Sequence, residues 1–336
     1  MATSTALTAP PGTRNSRVLG TGSFRPARVV TNEEVAGPIG STDEWIVTRS
    51  GIRTRRFASG TETLGMMAEQ AGRAALADAG LHAEQVDAVL VATITHRMAT
   101  PSLAAEVAAR LGTRSPAAVD LGAACSGFCY ATAIAGDMIR GGSADHVLVI
   151  GAERMSDLLD PTDRSTAFMF GDGAGAAVIG PCEEPGIGPV VWGSDGRRRD
   201  LIRMNEYWPA AGQELSGPSP SLVMEGPSVY RWAVSRMADV ALLAVKQAGV
   251  AITDIDVFVP HQANQRIVDN LARNLGLRDD AVVARDVAEA GNTSGASIPL
   301  ALDRLRTEGL APSGGLALLI GFGAGLAYAA QVVRLP

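Results

Sequence analysis

The chain has 336 residues, 46% of them hydrophobic, and 29 Lys and Arg against 35 Asp and Glu give a net charge of -6. That length supports one large or two medium domains with a sizeable core, and the acidic balance excludes non-specific nucleic-acid binding, which needs a positive field. Three cysteines in so long a chain exclude a disulfide framework and point to a reducing, cytoplasmic setting.

Residues 1–16 read as a flexible polar tail, because "MATSTALTAPPGTRN" has neither a basic start nor an apolar run. "AALADAGLHAEQVDAVLVATITH" (74–96) predicts a helix stopped at Gly80, then Asp87, then a buried strand. "AAVDLGAAC" (117–125) predicts a strand feeding a turn, and Ala131, Ile134 and Met138 set a helical spacing from near Cys125. "HVLVIGAERMS" (146–156) predicts another strand, and "FGDGAGAAVIG" follows from 170. A break falls near residue 185. Residues 195–222, rich in Gly, Pro, Ser and Arg, read as an irregular insert whose Tyr207 and Trp208 suit a covering loop.

The second half repeats the first. "LLAVKQAGVAITDIDVFVPHQAN" (242–264) matches 74–96, with Gly249 and Asp256 in place of Gly80 and Asp87, and "FGAGLAYAAQVV" from 322 echoes the segment from 170. Two similar halves of alternating strands and helices imply a duplicated α/β unit with buried sheets, 17–185 and 186–336. The uncharged stretch 314–333 imitates a membrane span, but its glycines break it into two short buried strands.

Cys125 sits where a helix begins, and the positive end of a helix favours a thiolate; it is equally readable as one more buried small residue. Cys129, one turn on, is core packing, and no further Cys or His cluster completes a metal set. His261 follows a buried strand directly, at the kind of strand-to-helix turn that exposes reactive side chains in α/β folds. Asn292 occupies a similar place in "AEAGNTSGASIPLAL", where an Asn is most often a cap or turn residue. Together Cys, His and Asn allow papain-like proteolysis or thioester chemistry on a thiolase architecture. The duplicated α/β pattern and the surround of Cys125 argue against the protease.

At this point the chain resembles the β-ketoacyl-acyl carrier protein synthase III group of the thiolase superfamily. "STDEWIVTRSGIRTRRFA", "DLGAACSGFCYA", "DPTDRSTAFMFGDGAGAAVIG", "VPHQANQRI", "GNTSGASIPLAL" and "GFGAGLAYA" fall in the family's order from about residue 17 to the end. The resemblance implies a five-layered αβαβα sandwich of two duplicated halves and a homodimer. It also implies a priming condensation that uses acyl-CoA and malonyl-acyl carrier protein as substrates, with no resident cofactor or metal and no membrane insertion. Cys125 is then the acyl-accepting nucleophile, His261 and Asn292 the decarboxylation pair, and the backbone N–H groups of Cys125 and Ala324 the oxyanion hole.

By the same resemblance, Trp45, Arg49 and Arg164 match CoA-binding positions, and Asn264 and Gly226 line the pantetheine tunnel. Thr100, Phe170 and Tyr230 belong to the acyl pocket, Thr100 being contributed across the dimer. Arg231, Arg266 and Arg273 are the docking charges for an acidic carrier protein. Ala324 replaces a common glycine, and Thr100 is smaller than the Phe of some acetyl-specific relatives, which implies longer or branched primers. With the 195–222 insert, these departures point to a pathway-dedicated priming enzyme, such as one for a polyketide. The alternative function is acyl transfer to an alcohol or amine, with His261 as general base; a non-catalytic partner subunit is a third.

Overall fold

The computed structural model describes residues 14–206 and 219–336. Ten strands form two five-stranded sheets. The first sheet holds β1 (Asn15–Phe24), β2 (Ala88–Ala92), β3 (Ala117–Leu121), β4 (Val147–Arg154) and β5 (Asp172–Cys182), in the order β1-β5-β4-β2-β3. The second holds β6 (Val191–Ser194), β7 (Val257–Pro260), β8 (Val282–Val283), β9 (Leu316–Gly323) and β10 (Ala327–Arg334), in the order β6-β10-β9-β7-β8. Each sheet has one antiparallel edge strand, a second antiparallel strand, then three parallel ones, so strand n of the first half corresponds to strand n + 5 of the second.

The helices of eight or more residues repeat likewise. Apart from α1 (Asp43–Ser50), which belongs to the first half alone, α2 (Leu64–Asp78), α3 (Leu103–Leu111) and α4 (Gly127–Arg140) recur as α5 (Gly226–Gln247), α6 (Gln265–Leu275) and α7 (Ser297–Thr307). The apolar clusters fix the layers. Ala71, Ala75 and Val107 of α2 and α3 pack on one face of the first sheet, where strand alternation points Val89, Ile150 and Val178. Its other face, Leu90, Val149 and Ile179, meets Phe128 and Ala135 of α4 and Ile298 and Leu302 of α7, which also pack on Val259 and Leu319 of the second sheet. Met237 and Ala241 of α5 and Leu271 of α6 cover the far face through Phe258, Leu318 and Ile320. The result is the expected five-layered αβαβα sandwich.

The local reasons for the repeat are visible in its punctuation. Gly80 and Gly249 both take the left-handed conformation that ends their helices, at φ 68° and 74°. Asp87 then accepts hydrogen bonds from the backbone N–H groups of Asp145 and His146 at the start of β4, and Asp256 from that of Leu316 at the start of β9. Each aspartate thus fastens a strand of its own half to the next one in the sheet. The stretch 314–333 forms β9 and most of β10, joined by the turn Ala324–Leu326, as its glycines imply. Among the described residues no helix is long and apolar enough to cross a membrane.

Two expectations need adjustment. β1 starts at Asn15, inside the stretch read as a tail, because strand pairing with β5 begins at Asn15 opposite Cys182. The insert is not irregular throughout: Gly196–Leu201 form a 3₁₀ turn, and Ile202–Met204 pair with Leu222–Met224 as a two-stranded ribbon. Tyr207 and Trp208 lie outside the described residues.

Candidate active site

The duplicated turns meet at the centre of the molecule. After β3 the chain passes through a three-residue 3₁₀ turn, Ala124–Ser126, into α4; in the second half the turn Ser294–Ala296 leads into α7. Both turns open on a non-glycine residue at positive φ, Ala124 at 46° and Ser294 at 47°. Such strain is uncommon and clusters where a side chain must be aimed at a site. Each turn also rests on the other half. A Cβ on Gly321 of β9 would lie 2.8 Å from Ser126 Cα, and one on Gly151 of β4 would lie 2.2 Å from the Gly295 carbonyl oxygen. Glycine at these two strand positions is what lets the halves touch backbone to backbone.

Cys125, His261 and Asn292 all line one cavity of about 610 Å³. His261 comes from the end of β7, held by its N–H to the Ile320 carbonyl, with its ring edge-on to Phe322. Its Nδ1 lies 2.7 Å from Ser297 Oγ, and burial without a charged partner lowers its pKa to about 3. The imidazole is therefore neutral, and Nε2 is left for the cavity. Asn292 is fixed by its backbone, its N–H bonding the Met169 carbonyl and its own carbonyl accepting from Gly171. Its Oδ1 accepts the Ser294 N–H at 2.9 Å, so its amide donors remain available.

The sulfur differs from expectation. The start of α4 was expected to favour a thiolate, but burial raises the Cys125 pKa to about 11, although Ser294 and the backbone N–H groups of Cys125 and Ala324 lower it in part. A helix terminus contributes about 0.3–1 kcal/mol, which a dry site overrides. Cys125 Sγ is a thiol at rest, 3.7 Å from Ser294 Oγ. The two backbone N–H groups that reach it are those of Cys125 and Ala324, an arrangement able to receive an oxyanion formed on a thioester attacked at this atom. Cys129 is wholly buried in the central layer, as its position implied.

The space around Sγ is tight on one side. A Cβ on Gly323 would lie 2.7 Å from Cys125 Cβ and 2.8 Å from Sγ. Gly323 is extended, at φ 170°, so alanine is conformationally acceptable there and acts only through space. Gly323→Ala is expected to leave the fold intact and slow acylation of Cys125 by about 10²-fold, the cost of misplacing a reacting atom by about 1 Å; intact-mass time courses measure it.

The other expected site residues are distributed along the same cavity, with two exceptions. Trp45 and Arg49 of α1 and Arg164 sit together, both guanidinium groups 4.6–4.7 Å from the indole centroid, and Phe168 meets the indole edge-on. Gly226, at the start of α5, faces open space, and Phe170 lines the wall. Asn264 lines the cavity but spends its side chain structurally: Oδ1 caps α6 on the Arg266 N–H, and Nδ2 donates to the Arg49 carbonyl. Arg231 and Arg266 are exposed at the opening, with no ion pair among the described residues.

Tyr230 lines the cavity as well, beneath the exposed Arg266 guanidinium 5.3 Å away, and the exceptions are Thr100 and Arg273. Thr100 is exposed and does not line this chain's cavity. Arg273 is exposed on α6 seven residues beyond Arg266, on the same helix face but off the cavity. Sequence reasoning also missed residues the site uses. Ile94, Met155, Met169, Ile202, Leu222 and Met224 supply apolar wall, and Ser294, Ser297 and Glu153 supply polar contacts. The repeat could have flagged Ser294, which corresponds to Ala124.

The His261 shift sets an acid response. Below about pH 6.5 an unfolded histidine takes up a proton that the folded site refuses until about pH 3, so this group removes stability as pH falls across that window. Glu153, raised to about 7 by burial, acts in the opposite sense between pH 7 and 4.5. His261→Gln is expected to flatten the acid limb, its melting temperature gaining on the wild type as pH falls from 7 to 4, read by calorimetry.

Two family models match the chain: 3-oxoacyl-(acyl-carrier-protein) synthase III over residues 119–196, and the C-terminal model of the same name over 245–335. The chain is 55% identical over 321 residues to β-ketoacyl-(acyl-carrier-protein) synthase III of Mycobacteroides abscessus, covering 95% of this chain and 94% of that one. To the synthase III of Streptomyces glaucescens it is 52% identical, covering 97% and 98%. The crystal structure of the priming β-ketosynthase of the R1128 polyketide biosynthetic pathway superposes with a TM-score of 0.96 at 49% identity, covering 99% of both chains. The synthase III of Aquifex aeolicus superposes with a TM-score of 0.88 at 37% identity, covering 95% and 100%. With the fold, the matched models and relatives of this identity over nearly the whole length, the chain belongs to the 3-oxoacyl-(acyl-carrier-protein) synthase III family of the thiolase superfamily, a family of condensing acyltransferases.

Proposed function

We propose that this enzyme starts fatty acid or polyketide chains, taking an acyl group from acyl-CoA onto Cys125 and condensing it with malonyl-acyl carrier protein. The observation that carries the reading is the convergence of Cys125, His261 and Asn292, from three separate turns between elements, on one apolar cavity. Sγ attacks the thioester carbonyl, and the Cys125 and Ala324 N–H groups hold the oxygen as it gains charge. CoA leaves, and the malonyl thioester enters. Loss of CO₂ moves its electron pair into an enolate whose oxygen accepts hydrogen bonds from His261 Nε2–H and the Asn292 amide. Neutral donors suffice there, which suits an imidazole whose pKa burial has lowered far below neutral pH. The enolate carbon then attacks the acyl-cysteine, releasing Sγ and a β-ketoacyl carrier protein. Incubation with an acyl-CoA panel, followed by malonyl carrier protein, tests this: acyl-enzyme mass shifts, then CO₂ release and a β-ketoacyl product, are expected. Acyl-enzyme with no CO₂ would favour transfer to an alcohol or amine.

Trp45, Arg49 and Arg164 serve the CoA nucleotide in this reading, the adenine entering between the indole and a guanidinium. Trp45→Ala is expected to weaken acyl-CoA binding by roughly 10-fold or more, since stacking a base on an aromatic ring contributes about 1–3 kcal/mol; titration calorimetry with CoA measures it. Arg231 and Arg266, exposed at the opening without an ion pair among the described residues, and Arg273, farther along the same helix face, suit an acidic carrier protein. The apolar wall of Ile94, Met155, Phe170 and Leu222 suits primers longer than acetyl. The chain also acts as a homodimer in this proposal. β3 is an edge strand with Val119 46% exposed, and Met98 is 58% exposed in the loop that carries Thr100. An uncovered apolar edge is what pairing with a second copy would bury, and light scattering in solution reads the mass.

A further inference from the structure

The neutral Cys125 thiol raises a question that His261 and Asn292 do not answer: where its proton goes when sulfur attacks. Among the described residues neither of them hydrogen-bonds Sγ; the side chain that does is Ser294. Behind Ser294 stands Glu153 of β4, wholly buried and, among the described residues, without a basic partner. Its Oε2 accepts from Thr95 Oγ1 at 2.8 Å, Thr93 Oγ1 at 3.2 Å and the Ile94 N–H at 3.1 Å. Its Oε1 faces the turn itself, 3.4 Å from the Gly295 N–H, and the Ser294 hydroxyl helps to hold its charge. A carboxylate buried without a cation is costly, and such groups concentrate where chemistry uses them.

We infer that Ser294 and Glu153 form the proton path of Cys125, the serine touching the reacting sulfur and the glutamate acting through it. The inference rests on the reading of Cys125 as the acylated residue. As Sγ bonds to the thioester carbon, the S–H bond breaks and its proton passes to Ser294 Oγ, while the serine proton passes to Glu153. Collapse of the tetrahedral intermediate breaks the carbon–sulfur bond to CoA. The CoA thiolate takes the proton back along the same route, leaving acyl-Cys125, CoA thiol and an ionised Glu153. One negative charge moves from the carboxylate to the oxygen of the tetrahedral intermediate to the leaving group, and the cavity never holds two. Glu153 titrates near 7 and Cys125 near 11, so the proton leaves during attack and no thiolate is stored beforehand.

Other titratable groups around the pair do not compete. His261 is neutral, and Cys129 is raised to about 12. Arg154 is turned to Asp157 and the Glu62 carbonyl, and Asp172 to Ser156 and the Ala58 N–H. The test is single-turnover acylation by butyryl-CoA between pH 6 and 10, quenched and read by intact mass. The wild-type rate is expected to rise to an inflection near pH 7 and level off. Ser294→Ala and Glu153→Gln should lose that inflection, climb steadily to beyond pH 9 and run about 10²-fold slower at pH 7.5, the low end of what a general base supplies. Variants that keep the inflection, whether at full rate or uniformly slowed, would overturn the path and leave both residues a structural role. Ser294→Ala removes one hydroxyl and decides the matter if Glu153→Gln does not fold. A wild type that takes up no acyl group at all would overturn the underlying reading of Cys125 as well.

Discussion

Cys125→Ala is expected to lose acyl loading completely and to lower condensation by at least about 10³-fold. The covalent intermediate is what divides one difficult carbon–carbon step into two, and no second nucleophile is placed to replace it. Cys129 is 0% exposed and faces the central layer, and Cys182 lies at the far end of β5. Ser294 Oγ is close, but an alcohol is a far weaker nucleophile than a thiol or thiolate. The variant should also fold normally, because the turn it sits in is fixed by backbone contact with Gly321 and not by the sulfur. Intact-mass analysis after exposure to acyl-CoA, beside product assay with malonyl carrier protein, reads both halves of the expectation. An alanine variant that still gained acyl mass would remove Cys125 from the mechanism.

His261→Ala and Asn292→Ala should divide the reaction differently. Each removes one neutral donor from the enolate oxygen, and loss of one such donor costs about 10²–10³ in rate. Acyl transfer to Cys125 uses other groups, so it should stay within a few-fold of wild type while CO₂ release collapses. His261 has a second contact that sharpens the test: its Nδ1 pairs with Ser297 Oγ at 2.7 Å, which orients the ring and leaves Nε2 for the cavity. Asn292→Asp is the informative companion, because it keeps the acceptor for the Ser294 N–H and replaces the amide donor with a charge that repels the enolate. Radiolabelled malonyl carrier protein, assayed for released CO₂ in the presence and absence of primer, separates the two steps. Equal losses in both steps would mean that the residues hold the site together and do not stabilise the enolate.

Much of this architecture is legible in the chain itself, and the reason is physical. Duplication leaves its mark where a residue has a backbone duty, as at Gly80 and Gly249 or Asp87 and Asp256, and such duties are local enough to survive as a pattern. Cys125, His261 and Asn292 stand out because each sits in a turn just ahead of a helix, His261 directly after a buried strand. What sequence hides is environment. The helix start argued for an ionised thiol, and only the packed cavity shows that burial wins. Glu153 reads as an ordinary charge ending a strand, since its partners Thr93 and Thr95 are some sixty residues away and meet it only across the sheet. Nothing local in the sequence places the Arg266 guanidinium over the Tyr230 ring, and Thr100 faces outward in a single copy of the chain.

Because each turn beds down on a bare glycine of the opposite half, the reaction centre and the seam between the halves are one object. Cleaving the chain in the link between Cys182 and Val191 would yield two fragments, one carrying the thiol and the other the imidazole and carboxamide, each with an oily inner layer laid open. Catalysis in such a system would report directly on reassembly. A substitution that loosens the seam by a fraction of an ångström should therefore silence turnover well before it melts the protein.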